Sequence, residues 1–436
     1  MNKEISGFSK LSKSEKIDWI AQQYFAEPET ATQLIKKYWN SDESLQQLHD
    51  EFIENTITNF YLPLGVAPNV MINNHYYTVP MVIEESSVVA AAAKSAKFWA
   101  KRGGFKTTVL GTEKIGQVHF LFKGDSTKLC SFFEHLKPKL FTSTASLTAN
   151  MQKRGGGILN IELRDKTSEL QDYYQLHATF ETKDSMGANF INSCLEQFAK
   201  TLKSEAEHFD TFTEEEKHIT VVMSILSNYV NNCKVRAEVY CPIEELYDKE
   251  ISDPKEFAEK FVTAVQIARL EPYRAVTHNK GIMNGISAAA LAYGQDWRAI
   301  EAAIHSYTNY FQIPLVTYWR VDDVLYGSLE APIAVGSVGG SVKSLNHAKT
   351  LMELSDVKDS GDLAILLGAV GLANNFGANF HLAFEGIQTG HMKLHARNIA
   401  LSVGAREDQV NKIVEEMVKN KKYSYEYAKE LLERLK

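Results

Sequence analysis

Between Glu271 and Gly285 the chain reads Glu-Pro-Tyr-Arg-Ala-Val-Thr-His-Asn-Lys-Gly-Ile-Met-Asn-Gly, setting Arg274, His278, Asn279, Lys280 and Asn284 among small apolar residues. A solvated loop would mix acids with these bases, and a core segment would exclude them. Donors gathered this way and closed by two glycines suit an anion or a polarised carbonyl oxygen. The structural alternative is a polar turn ahead of a helix beginning near Ile286. A second group, Glu84-Glu85, stands before an alanine-rich run that ends at Gly103-Gly104. Ser86 or Ser87 is expected to N-cap that helix and the glycines to stop it. Acids there favour the positive helix end. An acid desolvated against a buried helix would also have its pKa raised towards that of a general acid. Asp296 is placed to cap an amphipathic helix running to about Phe311. His391 and His395, in Gly-His-Met-Lys-Leu-His-Ala-Arg, stand one helical turn apart. That spacing suits a metal, but the acid of an H-E-x-x-H helix is missing and no third ligand is evident. A histidine beside a glycine hinge is better suited to proton delivery.

These residues need elements to hold them. Residues 1–55 read as polar helices, with Trp19, Ile20, Tyr24 and Phe25 spaced for one helix face, as a dimer arm or a cap. Residues 59–69 read as a shaped loop and Val70–Val82 as a hairpin turning at Asn73-Asn74. From Thr107 to about Arg236, alternating runs at Gln117–Phe122, Ile158–Leu163, Tyr174–Thr182 and His218–Met223 interleave with helical runs at Ser126–Leu140 and Asn189–Ala206. This pattern predicts a compact α+β unit inserted into a larger one. Two turns within it, Lys153-Arg-Gly-Gly-Gly157 and Asp184-Ser-Met-Gly-Ala-Asn189, offer the bare backbone that seats phosphate. Neither is the G-x-G-x-x-G of a Rossmann strand–turn–helix. Gly336-Ser-Val-Gly-Gly-Ser341 is a further donor-rich turn. Leu363–Phe384 predicts a close-packing Gly/Ala-rich helix, and residues 405–436 a helical C-terminal subdomain.

With 436 residues the chain has room for two or three domains. A net charge of -7 and the lack of a Lys/Arg block argue against a nucleic-acid backbone as partner. Cys130, Cys194, Cys233 and Cys241 lack paired metal spacing and read as free thiols of a reducing cytoplasm. No apolar run approaches the ~20 residues that span a bilayer, and the amino-terminal residues lack the apolar stretch of a signal peptide. The expectation is a cytoplasmic protein without a membrane or nucleic-acid partner and without a metal.

Five stretches taken in order carry a resemblance. They are Glu-Glu-Ser-Ser-Val-Val-Ala-Ala-Ala from residue 84, Asp-Ser-Met-Gly-Ala-Asn from 184 and Thr-His-Asn-Lys-Gly-Ile-Met-Asn-Gly from 277, then Gly-Gln-Asp-Trp-Arg from 294 and Gly-His-Met-Lys-Leu-His-Ala-Arg from 390. Together they resemble the motifs of 3-hydroxy-3-methylglutaryl-coenzyme A (HMG-CoA) reductases of the soluble bacterial class II type. The resemblance spans about Glu54 to Arg397, and five motifs in order make it specific. It implies that Glu85, Lys280, Asp296 and His391 are catalytic. Lys280 would face the carbonyl oxyanion, and Glu85 would donate a proton to the aldehyde-derived oxygen. Asp296 would hold Lys280 charged and link it to Glu85, and His391 would protonate the departing coenzyme A thiolate. Ser87, Arg274, Asn284 and Asn228 are implied as substrate contacts, with Arg274 on the free carboxylate. Asn160, Asp184, Met186, Gly187 and Asn189 are implied at the nicotinamide nucleotide.

The resemblance further implies an α+β architecture, a large α-rich domain with an inserted smaller α+β nucleotide-binding domain and a C-terminal helical flap. Its parts would be residues 1–110, the insert 111–225, the substrate and catalytic part 226–385, and the flap 386–436. It implies a homodimer with interfacial sites that interconverts HMG-CoA and mevalonate plus CoA using two nicotinamides. Two positions depart from the pattern. Ser86 replaces the usual proline, and the loss of that fixed φ is expected to loosen Glu85 slightly unless helix capping compensates. Asn160 stands where NADH-preferring members place an aspartate, so NADPH is expected to be accepted and preferred over NADH, although Glu162 lies close. A non-catalytic CoA- or nucleotide-binding protein of the same fold is the alternative, and a histidine-based metallohydrolase a third. The complete proton-transfer set argues against the binder.

Overall fold

The computed structural model describes residues 3–246, 251, 253–311, 314–340, 342, 346–384 and 387–435, without the side chains of 310, 311, 346, 384 and 387–394. It divides into two compact units, Met1–Pro63 and Leu64–Lys436. In the first, helix α1 (Lys13–Tyr24) opens with a capping box. The Ser12 hydroxyl accepts from the Glu15 N–H, and the Glu15 carboxylate accepts from the Ser12 N–H. Helix α2 (Pro28–Lys36) has proline at its first position and α3 (Glu43–Asp50) is capped by Asp42. Lys13 reaches Asp50 at 2.7 Å and joins the first helix to the third. The buried face of α1 is Lys16, Ile17 and Ala21, not the face through Trp19 and Tyr24. Trp19 instead packs edge-on against Tyr24 and Phe8.

The second unit opens with the hairpin β1 (Leu64–Ile72) and β2 (His75–Val82). Asn73 and Asn74 have φ of 49° and 70°, the left-handed pair that a two-residue hairpin turn requires. The strand begins inside the stretch expected to be a loop, and Pro68 is tolerated because the register shifts between Ala67 and Val70. Helix α4 (Val88–Ala100) follows and stops at Gly103-Gly104 as expected. A Cβ on Gly104 would lie 2.4 Å from the Met71 carbonyl oxygen, so this turn requires glycine. The expected serine cap does not form. Ser87 occupies the cap position at φ 80° and its hydroxyl makes no cap bond.

Two four-stranded antiparallel sheets form the rest of the frame. One has the order β3-β8-β10-β9, built from β3 (Lys106–Val109), β8 (Lys234–Pro242), β10 (Val324–Pro332) and β9 (Val316–Val321). The other has the order β5-β6-β4-β7, built from β4 (Lys114–Leu121), β5 (Gly157–Asp165), β6 (Tyr173–Glu181) and β7 (Thr220–Ser227). Helices α5 (Ser126–Ser143) and α7 (Ala188–Glu207) bury Phe132, Leu136, Leu195 and Phe198 with Val118, Phe120 and Phe180 of this second sheet. The short α6 (Ala145–Lys153) lies between α5 and β5. This core is distinct from that of the first sheet.

The first sheet packs with α4, α8 (Pro254–Leu270), α9 (Pro272–Ala292) and α12 (Ser360–Phe384), while α10 (Trp297–Phe311) and α11 (Asn346–Leu354) lie beside them. Helices α13 (Ile387–Ser402), α14 (Glu407–Asn420) and α15 (Tyr425–Arg434) share a small core of Ala396, Ile413, Met417 and Leu431. The chain thus has a mixed helix and sheet fold. Within α12, the segment Ser360–Ala383 is long and apolar enough to cross a membrane, contrary to the reading of the sequence, and 89% of its apolar window is buried. A helix apolar on all sides is what a central core position demands.

The largest revision concerns the donor-rich stretch itself. It is not a turn but the first two-thirds of α9, which begins at Pro272 with Glu271 accepting from the Arg274 N–H at 2.7 Å. Small residues let α9, α12 and α4 approach closely. A Cβ on Gly285 would lie 2.9 Å from the Asn374 side chain, and one on Gly377 2.9 Å from the Ser95 hydroxyl. A Cβ on Gly371 would lie 2.8 Å from two atoms of Ile286 and 3.2 Å from Leu329. Gly371→Val should therefore overpack the α9–α12 contact and cost about 1–3 kcal/mol, seen as a lower urea midpoint. An unchanged midpoint would contradict this packing.

Candidate functional site

Helices α4, α9 and α12 enclose a cleft of about 440 Å³, within the size range of small-molecule sites. Its lining includes Glu85, Ser87, Lys94, Arg274, Lys280, Asn284 and Asn379. Arg274, Thr277, Gly281 and Asn284 recur at helical spacing, so one face of α9 presents them together. Gly281 has no atom near its missing side chain, which leaves that face open. Glu85, in the turn before α4, accepts a hydrogen bond from Lys280 Nζ at 3.1 Å. Their side chains are 45% and 62% exposed, so the desolvation expected for Glu85 is absent within one chain. A pair this exposed adds little to stability. The Ser87 hydroxyl and the Asn374 side-chain oxygen are buried without a hydrogen-bond partner, and both residues line the cleft.

Beneath the cleft lies a polar network that sequence reasoning missed. Asn374, Asn375 and Asn379 come from α12, read from sequence only as a close-packing helix. Arg274 donates to Asn379 at 3.2 Å, Asn379 to Asn375 at 2.9 Å, and Asn375 to His278 at 3.1 Å. Burial lowers the pKa of Arg274. Burial, and then the Arg274 charge, push His278 down to about 4, against the weaker opposing effect of a hydrogen bond to the Val316 backbone. The missed signal was three asparagines inside an otherwise apolar helix, two of them four residues apart.

Asp296 is elsewhere. Its carboxylate accepts from the Ala299 N–H at 3.1 Å, as expected of a cap for α10, and lies 3.6 Å from Arg298. Helix α10 turns back along α9, since Ser287 donates to Glu301 while Asn279 meets Thr308. Asp296 therefore sits at the far end of α9, and from Lys280 to Ala292 that rod advances about 18 Å. One chain does not bring Asp296 to Lys280 and Glu85. The other expected residues gather at that far end. Asn228 and Met186 line a small cavity with Ala299 and Ala334. The Asp184 carbonyl accepts from the Ser337 N–H and its carboxylate from the Ser360 N–H. Gln295, not singled out from sequence, exchanges two hydrogen bonds with the Gly336 backbone. Gly187 and Asn189 stand at the start of α7.

Asn160 lines a separate polar cleft of about 430 Å³ with Gln117, Glu162, Arg164 and His177. It accepts from Lys137 and donates to Glu162, each at 3.1 Å. His391 lies on α13, and its side chain is outside the described residues. Among the described residues no group of three His, Cys, Asp or Glu could hold a metal ion.

Known proteins share this chain's sequence and fold. The family model for hydroxymethylglutaryl-coenzyme A reductase matches residues 13–396. The whole chain aligns at 37% identity with 95% of the 3-hydroxy-3-methylglutaryl-coenzyme A reductase of Archaeoglobus fulgidus. It aligns at 32% identity with 98% of a probable enzyme of the same name from Borreliella burgdorferi. A reductase structure from Streptococcus pneumoniae superposes with a TM-score of 0.71 at 33% identity, covering 99% of this chain and all of that one. A class II reductase from the same organism, bound to NADPH in open conformations, superposes with a TM-score of 0.70 at 32% identity, covering 98% of this chain and all of that one. Matches over this length place the chain among the NAD(P)H-dependent oxidoreductases. It belongs to the HMG-CoA reductase family and is of the class II bacterial type.

The buried His278 has a consequence for stability. Its folded-state pKa of about 4 lies below the ordinary histidine value, so the unfolded chain takes up the proton first. Its contribution is complete above the unfolded pKa and is lost as pH falls through the folded one. Between pH 7 and 4 the wild-type chain should lose about 2–3 kcal/mol more than a His278→Gln variant, read from urea midpoints. Equal losses would contradict a buried neutral imidazole.

Proposed function

We propose that this chain interconverts HMG-CoA and mevalonate plus CoA as a homodimer, each site combining the cleft of one chain with Asp296 and the nucleotide face of the other. The separation along α9 is the observation that carries this reading. A two-fold pair repairs it twice, because what one chain gives the other it also receives. In this reading residues 111–225 hold the nucleotide, residues 1–110 and 226–385 hold the substrate, and residues 386–436 are a flap carrying His391.

Several features support a nicotinamide nucleotide at the second sheet. Helix α7 begins at Gly187 with φ 87° and no side-chain cap, which leaves its first N–H groups for a diphosphate. A Cβ on Gly187 would lie 2.4 Å from Thr182, so glycine keeps that turn tight. Met186 and Asn189 flank the same turn, and Asp184 braces it through Ser360 and Ser337. Asn160 offers no carboxylate to repel a 2′-phosphate, and Lys137 brings a cation to it at 3.1 Å. Glu162 is offset by Arg164 at 3.3 Å. These residues favour NADPH over NADH.

When bound, two NADPH in succession would supply the hydrides, one for the thioester carbonyl and one for the aldehyde. Lys280 sets positive charge against the oxygen on which negative charge develops. Glu85, already hydrogen-bonded to Lys280, gives a proton to the aldehyde-derived oxygen. Asp296 of the second chain keeps Lys280 charged. His391 protonates the thiolate so that it does not recapture the aldehyde. Arg274 takes the free carboxylate, with Ser87 and Asn284 as polar contacts and Asn228 reaching in from the second chain. The four free cysteines, three of them buried, fit work in a reducing cytoplasm.

Following NADPH absorbance with HMG-CoA tests the reaction. Two nicotinamides should be consumed per thioester, and Lys280→Ala should lower turnover by about 10²–10³-fold in folded protein. No consumption by folded wild-type protein would leave a ligand-binding role. In parallel, Asn160→Asp should shift the NADPH/NADH rate ratio towards NADH; an unchanged ratio would remove Asn160 from cofactor choice.

A further inference from the structure

We infer that His278, Asn375 and Asn379 form a one-way relay of hydrogen bonds that presents Arg274 to a substrate carboxylate without neutralising its charge. The inference rests on the substrate reading above and adds positioning residues to it. His278 is 3% exposed, Asn375 2% and Asn379 1%, so water does not correct a wrong orientation. The direction of the relay follows from counting donors. A neutral imidazole has one N–H and one acceptor nitrogen. Asn375 Nδ2 lies 3.1 Å from one ring nitrogen of His278 and 3.5 Å from the other, and an amide nitrogen only donates, so the bare ring nitrogen accepts from it. With its amide nitrogen committed there, Asn375 turns its oxygen to Asn379, which donates to it at 2.9 Å. Asn379 is then left with an oxygen for the guanidinium, which can only donate, at 3.2 Å. Turning any one amide would bury two donors face to face.

What the relay offers Arg274 at its end is a neutral oxygen. Buried arginines are ordinarily paired with a carboxylate. Arg274 is half-buried and burial shifts it with no acid contributing, and among the described residues the acid lining the cleft, Glu85, is engaged by Lys280. The relay therefore fixes the direction of the guanidinium through one nitrogen. Its charge and remaining N–H groups are left for an incoming anion, in the geometry that favours a bidentate carboxylate. The low proton affinity of the buried ring keeps the direction of the relay constant at neutral pH.

The test is isosteric. Asn379→Asp puts a carboxylate where the amide oxygen sits and should pair internally with Arg274. The Kd for mevalonate and the KM for HMG-CoA should rise at least tenfold, with kcat changed by less than threefold and the Kd for NADPH unchanged. Asn375→Leu, which breaks the relay without adding charge, should raise the same two constants several-fold in the wild-type background and have no further effect in an Arg274→Met background. Unchanged mevalonate affinity in folded Asn379→Asp, or a loss confined to kcat, would overturn the inference. The wild-type protein supplies a measurement independent of any variant. Nitrogen NMR at pH 6 should show the His278 ring neutral, with one protonated and one bare nitrogen; a doubly protonated ring would overturn it. Wild-type protein that neither binds mevalonate nor reduces HMG-CoA would refute the substrate reading instead.

Discussion

Helix α9 is a rigid rod of 21 residues, and the rest of the site is arranged around its length. Near its beginning it carries Arg274, His278, Lys280 and Asn284, and at its far end the chain turns back through Gly294 to Asp296. Groups that the family resemblance expects to meet are thereby held about 18 Å apart along one axis. No rotamer change bridges that distance. In the proposed function, the fold prepares two complementary halves of a site and leaves their union to association with a second chain.

The first half is built so that its cations remain available. Close packing of α4, α9 and α12 depends on Gly285, Gly371 and Gly377, and it brings the asparagines of α12 under the guanidinium of Arg274. The asparagines satisfy that group with neutral oxygen, where an acid would have cancelled its charge. Lys280 does have an acid partner, but an exposed one, so this pair is free to reorganise. The cleft gives up local stability in orphaned hydroxyl and amide oxygens and a left-handed Ser87.

How much of this was legible in the sequence depended on range. Elements governed by neighbouring residues came through: the Asn73-Asn74 hairpin, the glycine stop after α4, the alternating strands of the second sheet and the Asp296 cap. The five motifs named the family because chemistry constrains residue types in order along a chain. Lost were features decided by tertiary partners. The stretch 271–285 looks like a turn because its polar residues and glycines resemble one, and it becomes a helix once α12 covers the face bearing His278. The expected desolvation of Glu85 requires a neighbour that the sequence does not place. The asparagines of α12 read as tolerated small residues until their partner, Arg274, is found far away in sequence. The link from Asp296 to Lys280, implied by family chemistry, is not satisfied by one chain at all.

Mixing two inactive variants tests the proposed union of half-sites most directly. Lys280→Ala and Asp296→Ala chains, each purified as an inactive homodimer, would be dissociated, mixed in equal amounts, reassociated and assayed with HMG-CoA and NADPH. If Lys280 of one chain works with Asp296 of the other, every mixed dimer contains one intact site. With random pairing, about a quarter of wild-type activity should then return. If the mixture stays inactive although mixed dimers have formed, both groups must act within one chain, and the separation along α9 would have to close by a rearrangement of the helix itself.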